Sequence, residues 1–371
     1  MSLSVLVIGG GIGGLTAAIA LRQKGVTVEV IERDPEWSVY GVGIIQQSNV
    51  VRAVHELGVL DAYIGSGFGF DAVDIYLPDG SHAATIPSPK LAEGYPANVG
   101  IGRPALQKVL ADRVKDLGVD VRLGVTAESL EDDGQGVTVT FSDGAVRRYD
   151  LVVGADGLYS RTREAIFPDA PKPQPTGQGV WRYNFKRPEW LKSLNAYHCS
   201  NAPGLVPLSD ALMYMYVTAK EDPAHKFPTA GLAEEMRKRL AGAPPVIQEF
   251  AAQITDDEGV VYRPLFGHML TGPWHKGRVV LLGDAVHGTT PHLGQGAGMA
   301  IEDSLVLADE LSRHPDDHEA AFTGYRARQY DRCAYIVDRS RAIGDAQLGL
   351  GPPIDYAHET REMFRVVSAP L

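Results

Sequence analysis

The sequence predicts an α/β protein: a nucleotide-binding core of parallel strands and helices, interrupted by an inserted antiparallel β-sheet domain. Three observations carry that prediction. At the N-terminus an apolar strand runs into a glycine-rich turn and then an apolar-striped helix. Two further glycine-bearing segments follow much later, at residues 154–163 and 283–296. The stretches 71–96 and 177–264 do not read as βα units, and the second holds strands rich in aromatic residues.

The first unit is the most complete. Val5–Ile8 is an apolar run of strand length, and the Gly9-x-Gly11-x-x-Gly14 turn follows at once. Leu15, Ala18, Ile19 and Leu21 form a helical stripe that ends at Gly25; Val26–Ile31 is a second strand stopping at Glu32. In such a unit the first glycine permits the tight turn and the second lets backbone amides reach a pyrophosphate. The third lets helix and strand pack closely, and an acid at the end of the second strand accepts from ribose hydroxyls. This turn alone does not choose between NAD and FAD. The chain continues with Gly41–Ile45, then a helix through Val50, Val54 and Leu57 to Gly58. Arg103 opens another helix, with Leu106, Val109, Leu110 and Val114 as its stripe, where it either meets an anionic or polyhydroxylated ligand or is simply solvated. A strand is expected over Val119–Leu123.

The second segment is Gly154-Ala155-Asp156-Gly157, with Ser160 and Arg163 just after it. The third begins where the strand Val279–Leu282 meets Gly283-Asp284, and continues through Pro291-His292-Leu293-Gly294-Gln295-Gly296. A helix is expected from Gly294 through Met299, Ile301, Leu305 and Leu307, leaving the amides of Gly294, Gln295, Gly296 and Ala297 as its positive end. A dinucleotide bearing a bulky redox ring needs contacts at both ends and in the middle. The three segments together therefore describe a site for FAD. Residues 1–70, 97–176 and 265–345 are assigned to a discontinuous FAD-binding domain closed by an arginine-rich C-terminal helix. Residues 71–96 and 177–264 form the substrate-binding sheet domain, with a domain crossing near 168–179, and residues 346–371 a C-terminal tail.

Composition narrows the function classes. The chain has 371 residues, 44% of them hydrophobic and 22% charged, as in ordinary soluble globular proteins. A formal net charge of −11 argues against a nucleic-acid surface. No stretch has the apolar length of a spanning helix, and the N-terminus reads as a buried strand with no basic leader. Two cysteines, Cys199 and Cys333, offer neither a disulfide framework nor a metal cluster, which fits the cytoplasm.

At these residues the chain resembles the single-component flavoprotein aromatic hydroxylases of the p-hydroxybenzoate hydroxylase type, from Val5 to about Gly344. The resemblance implies a Rossmann-like FAD-binding domain of the glutathione-reductase type with the inserted β-sheet domain of that family. Gly9, Gly11, Ile12, Gly13, Gly14, Glu32 and Arg33 then hold the ADP half, with Val125 touching adenine through its backbone. Gly43, Ile44 and Arg103 lie along the ribityl chain and flavin; Asp156 and Gly157 match the motif shared between FAD and NAD(P)H sites. Asp284 binds the ribityl or pyrophosphate oxygens, and Gly294, Gly296 and Ala297 face the pyrimidine side of the flavin ring. FAD is implied to be tight and non-covalent, with NADH or NADPH as transient reductant and O2 as co-substrate. The oxygen then reaches an electron-rich ring through a flavin C4a-hydroperoxide. Two positions depart from the family pattern, which often has proline at Ser48 and Gly288; the expected consequence is looser loops near the flavin.

The insertion carries the candidate substrate residues. Strands over Gly179–Phe185 and Leu212–Val217 put Tyr214 and Tyr216 on one face and Met213 and Met215 on the other. Tyr214 is the favoured substrate contact; the competing reading is an ordinary amphipathic strand. His292 either accepts a phenolic proton, orients a hydroxyl or only holds its loop. Arg182 could pair with a substrate carboxylate if its strand face permits, and His287 reads as structural. No metal site is expected. The function expected is NAD(P)H- and FAD-dependent hydroxylation of a small phenolic or hydroxylated heteroaromatic substrate by a monomer or homodimer. Rival readings are a monooxygenase for a larger polyketide or antibiotic, a non-oxygenating flavin oxidoreductase, and a nucleotide-binding sensor.

Overall fold

The computed structural model describes residues 3–39 and 41–371; Met1, Ser2 and Tyr40, within the segment 1–70, lie outside the described residues. A six-stranded sheet forms the nucleotide-binding core. Its order is His275–Lys276, Val279–Leu281, Leu151–Gly154, Ser4–Ile8, Thr27–Glu32 and Asp120–Leu123, parallel except at the first pair. Ser4–Ile8 is central and buried beneath helices, so it reads as a continuous apolar run. The helix Ile12–Gln23 leaves it through the glycine turn and packs on Gly296–Arg313, where Thr16 Oγ1 and Ser304 Oγ are 2.8 Å apart. The turn into this helix depends on glycine: a Cβ on Gly14 would lie 1.8 Å from the Gly9 carbonyl oxygen.

The second domain is a seven-stranded sheet. Its order is Val261–Gly267, Gln174–Lys186, Leu212–Lys220, Gly204–Pro207, Leu194–Tyr197, Ala72–Tyr76 and His82–Pro87. It thus joins strands from both interrupting stretches, but it is mixed rather than antiparallel throughout. Leu194–Tyr197 runs parallel to Ala72–Tyr76 because the two arrive from distant parts of the chain rather than through a hairpin. Trp181, Met213 and Met215 pack on one face with the helices Leu232–Arg239 and Pro245–Ala251, while Tyr214 belongs to a separate cluster with Leu208, Val206 and Phe70. A small antiparallel sheet, Gly43–Gln46, Asn98–Gly102 and Gly67–Phe70, links the two domains.

The long helix His318–Gln347 closes the core. Residues 346–371 are not an unstructured tail. Tyr356–Ser368 is a helix capped by Asp355, and Arg332 donates to the Ala369 and Pro370 carbonyls beyond it. No helix among the described residues is long and apolar enough to cross a membrane.

Candidate active site

The fold brings the three glycine segments to one end of the core sheet. A Cβ on Gly9 would meet the Ala155 carbonyl oxygen at 2.4 Å, so the first and second segments lie side by side. Gly13 abuts Leu282 and Ala300, joining the first to the third. Gly11 faces open space and is exposed, as a backbone that approaches a ligand must be. At the end of Thr27–Glu32 the Glu32 carboxylate accepts from Gly10 N at 2.7 Å and from Asp34 N at 2.9 Å, while Arg33 is exposed. Val125 N donates to the Glu32 carbonyl at 3.0 Å, leaving only the Val125 carbonyl for a base. Gln107, one turn beyond Arg103, donates to the Gly10 carbonyl at 3.0 Å and sets that helix against the turn.

Asp156 is occupied locally. It accepts from Ser160 Oγ at 2.5 Å and from Thr162 N at 3.0 Å, fixing the start of the helix Arg161–Ile166. Gly157 follows with a left-handed φ of 80°. Asp284 is solvent-exposed yet surrounded by protein. Burial pushes its carboxyl up, while the charges of His287 and Arg103 pull it back.

The third segment differs from the expectation at its helix start. The helix begins at Gly296, not Gly294. Gly294 ends a short 3-10 turn, Pro291–Leu293, in the left-handed region, and its amide donates to the Pro291 carbonyl at 3.0 Å. The free amides at this helix start are therefore those of its first turn, Gly296 and Ala297 among them. Gln295 is buried and binds Asn49 at 3.1 Å and Gln47, tying this turn to the start of the helix Ser48–Glu56. Sequence reading named neither Gln47 nor the side chain of Gln295. The only cue was a polar residue inside an otherwise small-residue turn.

Ser48 is fully buried, and the space beside Gly288 is taken by Leu158, whose Cδ1 lies 2.3 Å from where a Cβ would stand. His287, Asp303 and Cys333, distant in sequence, converge in the core with ligand atoms within 4.8 Å of one another. His287 Nε2 lies 2.7 Å from Asp303 Oδ2, which also accepts from Gly283 N at 3.0 Å. Burial alone would lower the His287 pKa, but Cys333 and Asp303 hold it well above its usual range.

The insertion roofs this end of the core. Gln174–Lys186 pairs with Leu212–Lys220 so that Arg182 opposes Tyr216 and Asn184 opposes Tyr214. Directly opposed residues share a face, so Gln178, Arg182, Asn184, Tyr214, Tyr216 and Thr218 all look the same way. That way is toward the core. Asn184 Nδ2 donates to the Gly41 carbonyl at 2.6 Å, and a Cβ on Gly43 would lie 2.5 Å from the Tyr214 ring. Tyr214 is buried, which raises its hydroxyl pKa against the opposing pull of Arg182 and Arg103. At the far end of the face Gln347 Oε1 accepts from Gln178 Nε2 at 2.9 Å and Thr218 Oγ1 at 3.3 Å. From the core side His292 Nε2 comes within 3.2 Å of the same oxygen, and its Nδ1 is 2.8 Å from Thr290 Oγ1. Burial brings the His292 pKa down to about 4, so the ring is neutral at neutral pH. Two surface clefts, of about 570 and 270 Å3, contain none of the motif glycines, and the second is lined in part by Thr290.

A Rossmann-like core with an open glycine cradle, roofed by an aromatic sheet face, defines a flavoprotein. Residues 2–339 match the family model described as FAD binding domain, and the chain belongs to that family. It is 33% identical over 346 residues to the aurachin C monooxygenase/isomerase of Stigmatella aurantiaca, covering 92% of this chain and 89% of that one. It is 33% identical over 358 residues to the 3-hydroxybenzoate 6-hydroxylase of Polaromonas naphthalenivorans, covering 92% and 87%. Klebsiella pneumoniae HpxO, solved with FAD and uric acid, superposes with a TM-score of 0.85 at 27% identity, covering 99% of this chain and 97% of that one. The protein is a single-component FAD-dependent monooxygenase of the p-hydroxybenzoate hydroxylase type.

Proposed function

We propose that the protein hydroxylates a small phenolic or hydroxylated heteroaromatic substrate in the crevice beneath Tyr214 and Tyr216, with NADH or NADPH as reductant and O2 as co-substrate. The observation that carries this reading is the contact of Gly43 with the Tyr214 ring, which sets the aromatic sheet face directly over the strand expected to follow the flavin. The relatives support it, since one hydroxylates 3-hydroxybenzoate and another is solved with uric acid. Bound FAD supplies hydride acceptance and oxygen activation.

The chain's own residues do the rest. Gly9, Gly11, Ile12, Gly13, Gly14, Glu32 and Arg33 cradle the ADP half, with Val125 beside the adenine. Arg103, Asp156, Gly157 and Asp284 line the middle. Gly43, Ile44, Gly294, Gly296 and Ala297 border the redox ring. The amides that open the helix Gly296–Arg313 present positive charge to an anion there. Tyr214 orients the substrate and the roof excludes water. His292 acts as a neutral orienting group; a ring with a pKa near 4, held between Thr290 and Gln347, is too weak a base to take a phenolic proton at neutral pH. The aurachin C relative favours a second reading, a larger natural-product substrate in the same crevice.

The test is FAD-loaded protein offered NADH or NADPH across a panel of phenols, hydroxybenzoates, hydroxypyridines and hydroxyquinolines, with H2O2 followed in parallel. Stimulated oxidation with 18O from O2 in the product is expected. Oxidation without incorporated oxygen would move the reading to a non-oxygenating oxidoreductase.

A further inference from the structure

Gln295 stands where three helices meet. Its side-chain nitrogen donates to Gln47 Oε1, to Asn49 Oδ1 at 3.1 Å and to Met363 Sδ at 3.4 Å, and its oxygen accepts from Asn49 Nδ2 at 3.0 Å. Gln47 and Asn49 belong to the start of the helix Ser48–Glu56, Gln295 to the turn before Gly296–Arg313, and Met363 to Tyr356–Ser368. A Cβ on Gly298 would lie 2.8 Å from Gln295 Oε1 and 3.3 Å from Asn49 Nδ2. The pair of amides therefore rests directly on the first turn of Gly296–Arg313.

A second path reaches the same turn. Asn49 Nδ2 also donates to Glu302 Oε1, at 3.2 Å. Glu302 is fully buried, and both Arg52, at 3.3 Å, and Arg332, at 2.9 Å, pair with it. Burial pushes its carboxyl up, while Arg332, Arg52 and Asn49 pull it back. Two cations on one carboxylate leave a surplus of positive charge, and the C-terminal segment meets it. Arg52 donates to the Val367 and Ser368 carbonyls at 3.4 and 3.3 Å, and Arg332 to those of Ala369 and Pro370 at 2.8 and 3.1 Å. No other described residue accepts from either arginine. Carbonyls at the end of a helix carry its negative partial charge, so they suit this place. The C-terminal segment thus holds Gln295 twice: directly through Met363, and through the two arginines, Glu302 and Asn49.

We propose that Glu302 and the C-terminal helix Tyr356–Ser368 position the turn at Gly296 and Ala297 against the redox ring, so that a segment beyond all three glycine motifs completes the cofactor site. This deepens the proposed function and rests on its placement of those amides at the ring. Glu302 is a positioning residue, acting through Asn49 and Gln295 rather than by contact with the ring. The benefit of a helix start to an anion falls off within the first turn, so a small retreat of these amides costs much of it.

The test equilibrates FAD-loaded protein with a redox dye, without substrate or O2, and reads oxidised and reduced flavin by visible absorbance. In Asn49→Ala, which changes no charge, the ratio of oxidised to reduced flavin at a given dye potential should rise by about threefold, because the amides retreat from the reduced anion. Glu302→Gln should shift the ratio the same way, and Glu302→Asp should recover part of the wild-type value. A plain charge effect has the opposite sign, since removing a negative charge favours the reduced anion. Arg339→Gln breaks the pair between Arg339 and Glu359, a tie of the same C-terminal helix that involves neither Gln295 nor Glu302. It should lower thermal stability and leave the ratio unmoved. A wild-type ratio in Asn49→Ala, a shift toward reduced flavin in Glu302→Gln, or an equal shift in Arg339→Gln would overturn the proposal. Loss of FAD from both Asn49→Ala and Glu302→Gln would show support of the fold instead and overturn it too; if only Glu302→Gln fails to fold, Asn49→Ala decides. No turnover is read. Failure of oxygen incorporation would therefore defeat the hydroxylase reading while leaving this shift standing, so the two fail separately.

Discussion

Asp303 Oδ2 accepts from both His287 Nε2, at 2.7 Å, and Gly283 N, at 3.0 Å. One carboxylate oxygen thereby fixes the two ends of the short helix Asp284–His287 to the helix Gly296–Arg313. Asp284 is carried between them. Removing this acceptor leaves a buried histidine without its counter-charge. Asp303→Ala is therefore expected to destabilise the fold by about 3–5 kcal/mol and to lower FAD retention, measured by urea unfolding and by flavin content after gel filtration. The pH dependence has a definite sign. The folded pKa of His287 is raised, so its contribution is fully present below the unfolded value and is lost as pH rises through the folded value.

His292 predicts the opposite slope. Its folded pKa is lowered to about 4 from an ordinary value of 6.5, so the unfolded chain binds more protons between those limits. Stability should fall as pH drops from 6.5 to 4 by up to about 3 kcal/mol from this group. His292→Asn should flatten that part of the profile relative to wild type. An identical slope in both proteins would show that the ring is not held neutral.

Gly43 has no room for a side chain, because a Cβ would press on Tyr214 and on Leu208. Gly43→Ala is expected to cost about 1–3 kcal/mol and to displace the Tyr214 ring. Substrate affinity should weaken more than FAD affinity, which parallel titrations would separate.

Tyr214→Phe keeps the ring and removes the hydroxyl. Product formed per NAD(P)H consumed should drop, with H2O2 rising by the same amount, while FAD content stays near wild type. His292→Ala should do likewise through lost orientation. Unchanged coupling in both variants would remove them from the substrate site.

Gly14→Ala tests the cradle itself. The added methyl would lie 1.8 Å from the Gly9 carbonyl oxygen, a distance no relaxation of a flexible side chain can relieve. The expected result is protein without FAD, or no folded protein, seen as loss of the visible flavin spectrum.

Local signals made the core legible. The strand–turn–helix at Val5–Leu21 follows from apolar periodicity and glycine spacing, and the tyrosine–methionine alternation of Leu212–Lys220 follows from a period of two. What escaped was held by pairs far apart in the chain. Nothing near Gln295 shows that it will meet Gln47 and Asn49, and nothing near Cys333 places it beside His287. The Gly294 start failed for a different reason. A helix-forming stripe marks where a helix packs, but the left-handed residue and the 3-10 turn ahead of it decide where its first free amide lies. The helix Tyr356–Ser368 was missed because its end is held by residues far away in the chain, Arg52 on the Ser368 carbonyl and Arg332 on the Ala369 carbonyl.

Gln347 Oε1 is approached by three partners, Gln178, Thr218 and His292, and an amide oxygen has only two lone pairs. The three cannot all be satisfied at full strength. Two come from the roof and one from the core, so the junction of roof and core is oversubscribed at this one atom. Giving up the longest contact, from Thr218, strands no acceptor at Gln347. The roof stays tied to the core at that corner through Gln178, as it does at the opposite corner through the Asn184–Gly41 bond.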